Sequence, residues 1–255
     1  SLDYIVGLIK QYDLFLHIKK ILRHCKNFDY VITSYGDAFS LFAGQCFHKY
    51  HKETPWIFDI RDAVYRYKFT PCYVSWIAKL YEKQIWKNAD CILGVSKGIC
   101  RRVPSKYRKK VHCLTNGYDI SDRENLRVER LNTSKLVFTY TGSMYGGIRD
   151  LSILFEIIRE AINKGDIEED TLEFHYAGNA SAYEIFKNQA QKYALGKNCI
   201  THGKLSHKEA LQLQQQSDIL LVASYDYQSS QGGVITGKAL EYMSAQRPII
   251  AIVMG

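Results

Sequence analysis

Apolar residues recur along this chain in two alternating rhythms. Ile5, Leu8, Ile9, Tyr12, Phe15 and Leu16 repeat at three- and four-residue steps, which predicts an opening amphipathic helix. A compact run at YVITS (30–34) predicts a strand, and Phe39, Phe42, Ala43, Cys46 and Phe47 mark one face of a helix. WIFDI (56–60) is a buried-strand run, followed by a helical stretch from Tyr73 to Trp86 and by strands at CILGVS (91–96) and HCLTN (112–116). Short buried strands alternating with helices are the pattern of a parallel sheet covered on both faces.

Residues 121–134 (SDRENLRVERLNTS) break the rhythm and read as a linker. It restarts with LVFTYTG (136–142), then a helix carrying Leu151, Leu154, Phe155, Ile158 and Ile162, then LEFHYAG (172–178). A helix near 181–194 precedes CITHG (199–203). Ser206 and Glu209 form a capping-box signature that opens a helix over 207–216. DILLVAS (218–224), a helix over 238–246 and PIIAI (248–252) complete a βαβαβαβαβ series. The expectation is an α/β protein of two Rossmann-like, doubly wound parallel-sheet domains, 1–120 and 135–255, joined by 121–134. The series opens on a helix and stops just after a strand, so both domains are expected to be incomplete.

Length and composition narrow the classes. A chain of 255 residues with 46% hydrophobic content can bury a core, and no apolar run approaches the roughly 18 residues of a membrane span. The net charge of +8 is unevenly placed. Residues 1–118 hold 20 basic and 9 acidic residues, and residues 119–255 hold 14 and 17, so the halves carry +11 and −3. Only the first half is therefore expected to face something anionic. The seven cysteines contain no C-x-x-C pair, and His48 and His51 match no ligand spacing with Cys46 and Glu53. Neither a structural metal site nor a disulfide framework is expected.

Ligands of doubly wound sheets sit at the carboxyl ends of strands, where helix N-termini aim free N–H groups at anions. Three loops of the second half qualify. TGSMYGGIRD (141–150) offers Gly142 for close backbone approach to a phosphate and Arg149 to hold it. THGKLSHKE (201–209) offers Gly203, Lys204 and Leu205 as a rest for a flat base, or is a plain loop. SYDYQSSQGGVITGKALEY (224–242) places Lys238 in the first turn of a helix, where a cation opposes the macrodipole by about 0.3–1 kcal/mol unless an anion binds nearby. Glu241 follows on the same face, able to accept two hydroxyl hydrogen bonds; an i,i+3 surface ion pair is the plainer alternative. Gly232, Gly237 and Lys238 match G-x-x-x-x-G-K, but Ala239 replaces the Ser or Thr that would ligate magnesium, which excludes a P-loop.

Taken together, PWIFDIRD (55–62), NADCILGVSKGI (88–99), LTNGYD (114–119), FTYTGS (138–143), FHYAGN (174–179) and GKALEYMSAQRPIIAI (237–252) resemble the GT-B glycosyltransferases of the family 4 type. The likeness is strongest to bacterial sugar transferases of lipopolysaccharide and capsule assembly. It implies transfer of a sugar, with retention, from a UDP- or GDP-type sugar nucleotide to a lipid-linked or polysaccharide acceptor, with neither essential metal nor cofactor. By the resemblance, Arg149 and Lys238 contact the pyrophosphate and Glu241 is the second Glu of an E-x7-E motif, binding the ribose. The first Glu of that motif would fall at Gly233 and is absent, and the usual Arg after the first strand is Ser143 here. Asn116 and Gly117 resemble the family's turn at the cleft between domains.

Asp59, Arg61 and Asp62 fall at the end of a buried strand, so they are expected at that cleft. There Asp62 would orient an acceptor hydroxyl or take its proton, with Arg61 fixing its geometry; a structural Arg–Asp pair is the competing explanation. The tract KGICRRVPSKYRKK (97–110) carries seven Lys or Arg in fourteen residues. It suits peripheral attachment to the cytoplasmic face of an anionic membrane. A sugar-nucleotide epimerase and a non-catalytic nucleotide- or membrane-binding subunit are the alternatives. No nucleic-acid-binding motif accompanies the charge.

Overall fold

In a computed structural model, the described residues are 14, 16–25, 28–35, 38–61, 72–121, 129–131, 133–224 and 236–253. The apolar repeat before Leu14, Asp62 and most of the glycine-bearing loop after Ser224 lie outside them. The chain divides into two units, one closing at Thr115 and the other starting at Asn116 and taking in Thr236–Gly255.

The first unit runs β1 (Val31–Tyr35), α1 (Ala38–Tyr50), β2 (Trp56–Ile60), α2 (Cys72–Asn88), β3 (Cys91–Gly94), α3 (Lys97–Arg102) and β4 (Val111–Cys113). Its four strands are parallel and lie in sequence order, β1-β2-β3-β4. Trp56, Phe58 and Ile92 of the strands bury against Ile85 and Trp86 of α2 and Ile99 of α3. Trp56 is fully buried, and its Nε1 donates to Thr33 Oγ1 at 2.8 Å. Gly44 of α1 sits on this indole: a Cβ there would lie 2.9 Å from Trp56 Cε2, so only glycine lets the helix approach. The alternation of elements predicts helices over both faces. Right-handed crossovers that always step in one direction instead lay their helices on one face. The opposite face opens at β1, where Ile32 is 53% exposed.

The basic tract holds a structural surprise. Ser96 caps α3 by accepting the Ile99 N–H at 3.1 Å, and Gly98 and Ile99 are buried. Half of the apparent charge run is thus a short helix packed on the sheet.

The second unit runs β5 (Leu136–Thr141), α4 (Ser152–Lys164), β6 (Leu172–Ala177), α5 (Ala180–Gln191), β7 (Cys199–Thr201), α6 (His207–Gln216), β8 (Ile219–Ala223), α7 (Gly237–Ala245) and β9 (Ile249–Ile252). All pairings are parallel, in the order β7-β6-β5-β8-β9. The direction of winding reverses between β5 and β8, so the sheet is doubly wound. Crossovers of opposite direction place α4 and α5 on one face and α6 and α7 on the other.

Strand alternation gives each face its own chemistry. Phe138 and Tyr140 of β5 join Phe155, Phe174, Tyr176 and Phe186 in an aromatic core. Thr139 and Thr141 face the other way, and Thr139 Oγ1 meets Ser217 Oγ at 2.6 Å. Helix ends follow local rules. Gly165, at φ 78°, closes α4 in the left-handed region, and the expected capping box opens α6, with Ser206 N donating to Glu209 Oε2 at 2.8 Å. The end of the expected linker belongs to this unit. Arg130 Nη2 pairs with Asp218 Oδ2 at 2.7 Å, and the same oxygen accepts the Val137 N–H.

Candidate functional site

A crevice is expected where the winding reverses, at the carboxyl ends of β5 and β8. Tyr140, Thr141, Arg149, Thr236, Lys238 and Tyr242 line a shallow depression there. Thr236 caps α7 by accepting the Ala239 N–H, and both Thr236 and Lys238 line the depression. Gly142 has φ 120°, a conformation that favours glycine, and a Cβ on it would lie 3.5 Å from Lys238 Cε. The lysine stem therefore runs over the glycine of the first loop. Lys238 Nζ reaches Glu241 Oε1 at 2.8 Å, with 31% and 21% of their side chains exposed.

Arg149 is held from several sides. Its Nη1 donates to Tyr140 Oη at 3.2 Å and to Ser143 O at 3.4 Å, and its guanidinium lies 4.5 Å from the Tyr145 ring centre. Burial raises the Tyr140 hydroxyl's pKa against the opposing pull of Arg149. Burial pushes Tyr176 up to about 12 and Tyr242 further still, so these phenols remain neutral hydrogen-bonding groups.

The structure thus brings Gly142, Arg149, Lys238 and Glu241 together. Gly203, Lys204 and Leu205 follow β7, two strands away, and a ladder of glycines joins them to the cluster. Gly203 O accepts from Gly178 N at 2.9 Å, and a Cβ on Gly178 would fall 2.7 Å from Gly142 O. Beside Gly203, His202 Nε2 meets His175 Nδ1 at 2.9 Å, and Glu173 Oε2 meets His175 Nε2 at 3.1 Å. Burial, then the neighbouring His175, lower the pKa of His202.

In the first unit Asp59 is buried at the end of β2. Its Oδ2 accepts from Ser34 Oγ at 3.0 Å and pairs with Arg61 Nε at 2.6 Å, while Arg61 is partly exposed. The Arg–Asp pair at the strand end is thus formed, with part of Arg61 exposed beside it. Asp62 lies outside the described residues. In the basic tract, Lys110 Nζ donates to the carbonyls of Lys87 and Ala89, tying down the end of α2, and burial lowers its pKa. Lys97, Arg101, Lys106, Arg108 and Lys109 remain exposed.

Sequence reasoning missed three buried polar residues behind the cluster. Gln214 Nε2 donates to Glu241 Oε1 and Thr141 Oγ1, and Tyr242 Oη accepts the Thr141 N–H at 2.8 Å. Gln214 stands in the run LQLQQQ, which reads as an exposed face, and only its step of three from the buried Leu211 marks the inward side. Among the described residues, no group of three or more His, Cys, Asp or Glu is arranged to hold a metal ion. No described helix is long and apolar enough to cross a membrane.

The second unit is thus a Rossmann-like, doubly wound sheet that gathers Gly142, Arg149 and Lys238 at its switch point. Residues 135–255 match the family described as Glycosyl transferases group 1. Solved structures place the two parallel-sheet units in the GT-B fold class. The apo form of the lipopolysaccharide outer core galactosyltransferase WaaB is 16% identical, with a TM-score of 0.62 over 96% of this chain and 62% of its own. A UDP-forming trehalose-phosphate synthase from Burkholderia xenovorans is 11% identical, with a TM-score of 0.62 over 94% and 63%. Sucrose-phosphate synthase from Thermosynechococcus elongatus is 16% identical, with a TM-score of 0.57 over 88% and 56%. The chain therefore spans less than two thirds of the length of these solved proteins. No curated protein sequence matches it.

Proposed function

We propose that the chain acts in glycosyl transfer, moving a sugar with retention from a UDP- or GDP-type sugar nucleotide to a lipid-linked or polysaccharide acceptor. The observation that carries this reading is the meeting of Lys238, in the first turn of α7, and Glu241, one turn on, with Gly142 and Arg149 at the switch point of the family-matched domain. A diphosphate beside Lys238 would be held by two cations and the helix N-terminus, and the ribose by Glu241. The base would rest on Gly203, Lys204 and Leu205. A UDP-forming synthase and a TarM structure in complex with UDP stand among the similar folds, which favours uridine.

In the transfer, the bond between the sugar's anomeric carbon and the phosphate oxygen breaks while one to the acceptor hydroxyl forms. The acceptor proton passes to the departing phosphate oxygen. Lys238 and Arg149 stabilise the charge that develops there, the role a metal plays in other transferases, so neither metal nor cofactor is required. Arg61, steadied by Asp59, and Asp62 are assigned to the acceptor side.

The test is thermal unfolding with nucleotide added. UDP or GDP should raise the melting temperature and the matching 2′-deoxy form should do so weakly. Equal shifts would remove Glu241 from the ribose, and no shift with any nucleotide would overturn the reading.

The five exposed cations of the basic tract fit cytoplasmic, peripheral attachment to an anionic bilayer, at about 1 kcal/mol per residue. Liposome flotation that shows no preference for anionic lipid would refute the attachment.

A further inference from the structure

Resting on the donor site proposed above, we infer that Gln214 is a positioning residue that sets the ribose preference of the site without touching the nucleotide. Gln214 lies on α6 and is fully buried. Its Nε2 donates to Glu241 Oε1 at 2.5 Å and to Thr141 Oγ1 at 3.1 Å. A carboxylate only accepts, so Glu241 itself dictates which end of the amide faces it. The amide's other end, Oε1, is buried with no hydrogen-bond partner. Leucine or methionine would fill this place between helix and sheet at no such desolvation cost. The amide is therefore placed for what it donates to.

Its support is rigid. Thr141 is fixed by β5, its N–H donates to Tyr242 Oη at 2.8 Å, and its Oγ1 lies 3.1 Å from the same hydroxyl. Tyr242 stands next to Glu241 on α7 and is fully buried. Strand and helix thus hold the amide's partner on one side while the amide holds Glu241 on the other.

The bonds from Lys238 and Gln214 both fall on Oε1 of Glu241, which leaves Oε2 as the oxygen to accept from the ribose. Lys238 serves two masters. Once it turns to a bound diphosphate, its hold on Glu241 loosens, and Gln214 remains to stop the flexible glutamate from swinging away. A glutamate free to rotate would still attract hydroxyls but would give up the geometry that separates ribose from deoxyribose.

The experiment is calorimetric titration of UDP and 2′-deoxy-UDP into the wild type and a Gln214→Met variant, which keeps volume and removes both donors. Expected is a wild-type preference for UDP that narrows by about tenfold in the variant, chiefly through weaker UDP binding. An equal loss for both nucleotides would mean that Gln214 acts only in packing and would overturn the inference. So would an unchanged ratio. A wild type with no ribose preference would instead strike at Glu241 and the donor reading. Should the methionine variant fail to fold, Gln214→Asn keeps an amide that is one methylene too short to reach Glu241 from the same backbone position. It is judged by the same ratio, expected to narrow likewise.

Discussion

The two parallel sheets end differently at their carboxyl edges. At the end of β2, Asp59 is buried and a single oxygen, Oδ2, accepts from both Arg61 and Ser34. At the end of β5, backbone replaces side chain: Gly142 leaves room, Lys238 lies over it, and the cations stay partly open. The first edge pairs its ionisable groups within one strand end, with Asp59 buried and Arg61 partly exposed. The second holds its strand ends with glycine contacts and neutral phenols, and pairs Lys238 with Glu241 while both stay partly exposed. The difference is one of geometry: a buried carboxylate sits at the first strand end, and a helix N-terminus with a cation in its first turn sits at the second.

The largest expected effect separates the two cores. Trp56→Ala removes a fully buried indole from the first unit and should cost about 3–5 kcal/mol in urea denaturation. UDP binding should persist in the folded variant; its loss would mean that the two units do not act separately. Next, Lys238→Ala should weaken UDP by about 1.5–3 kcal/mol in calorimetry while leaving the unliganded melting temperature nearly unchanged. An unaltered affinity would place the diphosphate elsewhere.

Tyr242→Phe should cost about 1–3 kcal/mol of stability, because the buried Thr141 N–H loses its acceptor. A neutral result in chemical denaturation would show that the hydroxyl is dispensable. The smallest effect concerns pH. His202 is depressed below its ordinary 6.5, so below that pH the unfolded chain takes up a proton that the folded chain resists. Stability should be full well above pH 6.5 and decline as pH falls through and below it, and His202→Gln should flatten the decline. A variant with the same pH slope as the wild type would assign the decline to other groups.

Much of both units is legible in their residues. WIFDI in the first and the capping box at Ser206 and Glu209 in the second land on β2 and at the start of α6, because apolar period and cap chemistry act locally. Lys238 and Glu241 are legible for the same reason, as a cation and a carboxylate one turn apart in a helix that starts after a long loop. Three features escape such reading. The order of the strands depends on crossover direction, which no local pattern encodes, so the one-sided winding of the first sheet is invisible in sequence. Helix α3 hides inside a charge run, with Ser96 as its only advance signal. Gln214 looks like one more surface glutamine, and its role emerges only where α6, β5 and α7 meet.

The most direct measurement is calorimetric titration of UDP, GDP and their 2′-deoxy forms into the wild-type protein. The expected result is saturable, single-site binding of one ribonucleotide, with its deoxy form weaker by about tenfold or more. Absence of binding by every nucleotide, or equal affinity for ribo and deoxy forms, would contradict a donor site built on Lys238 and Glu241.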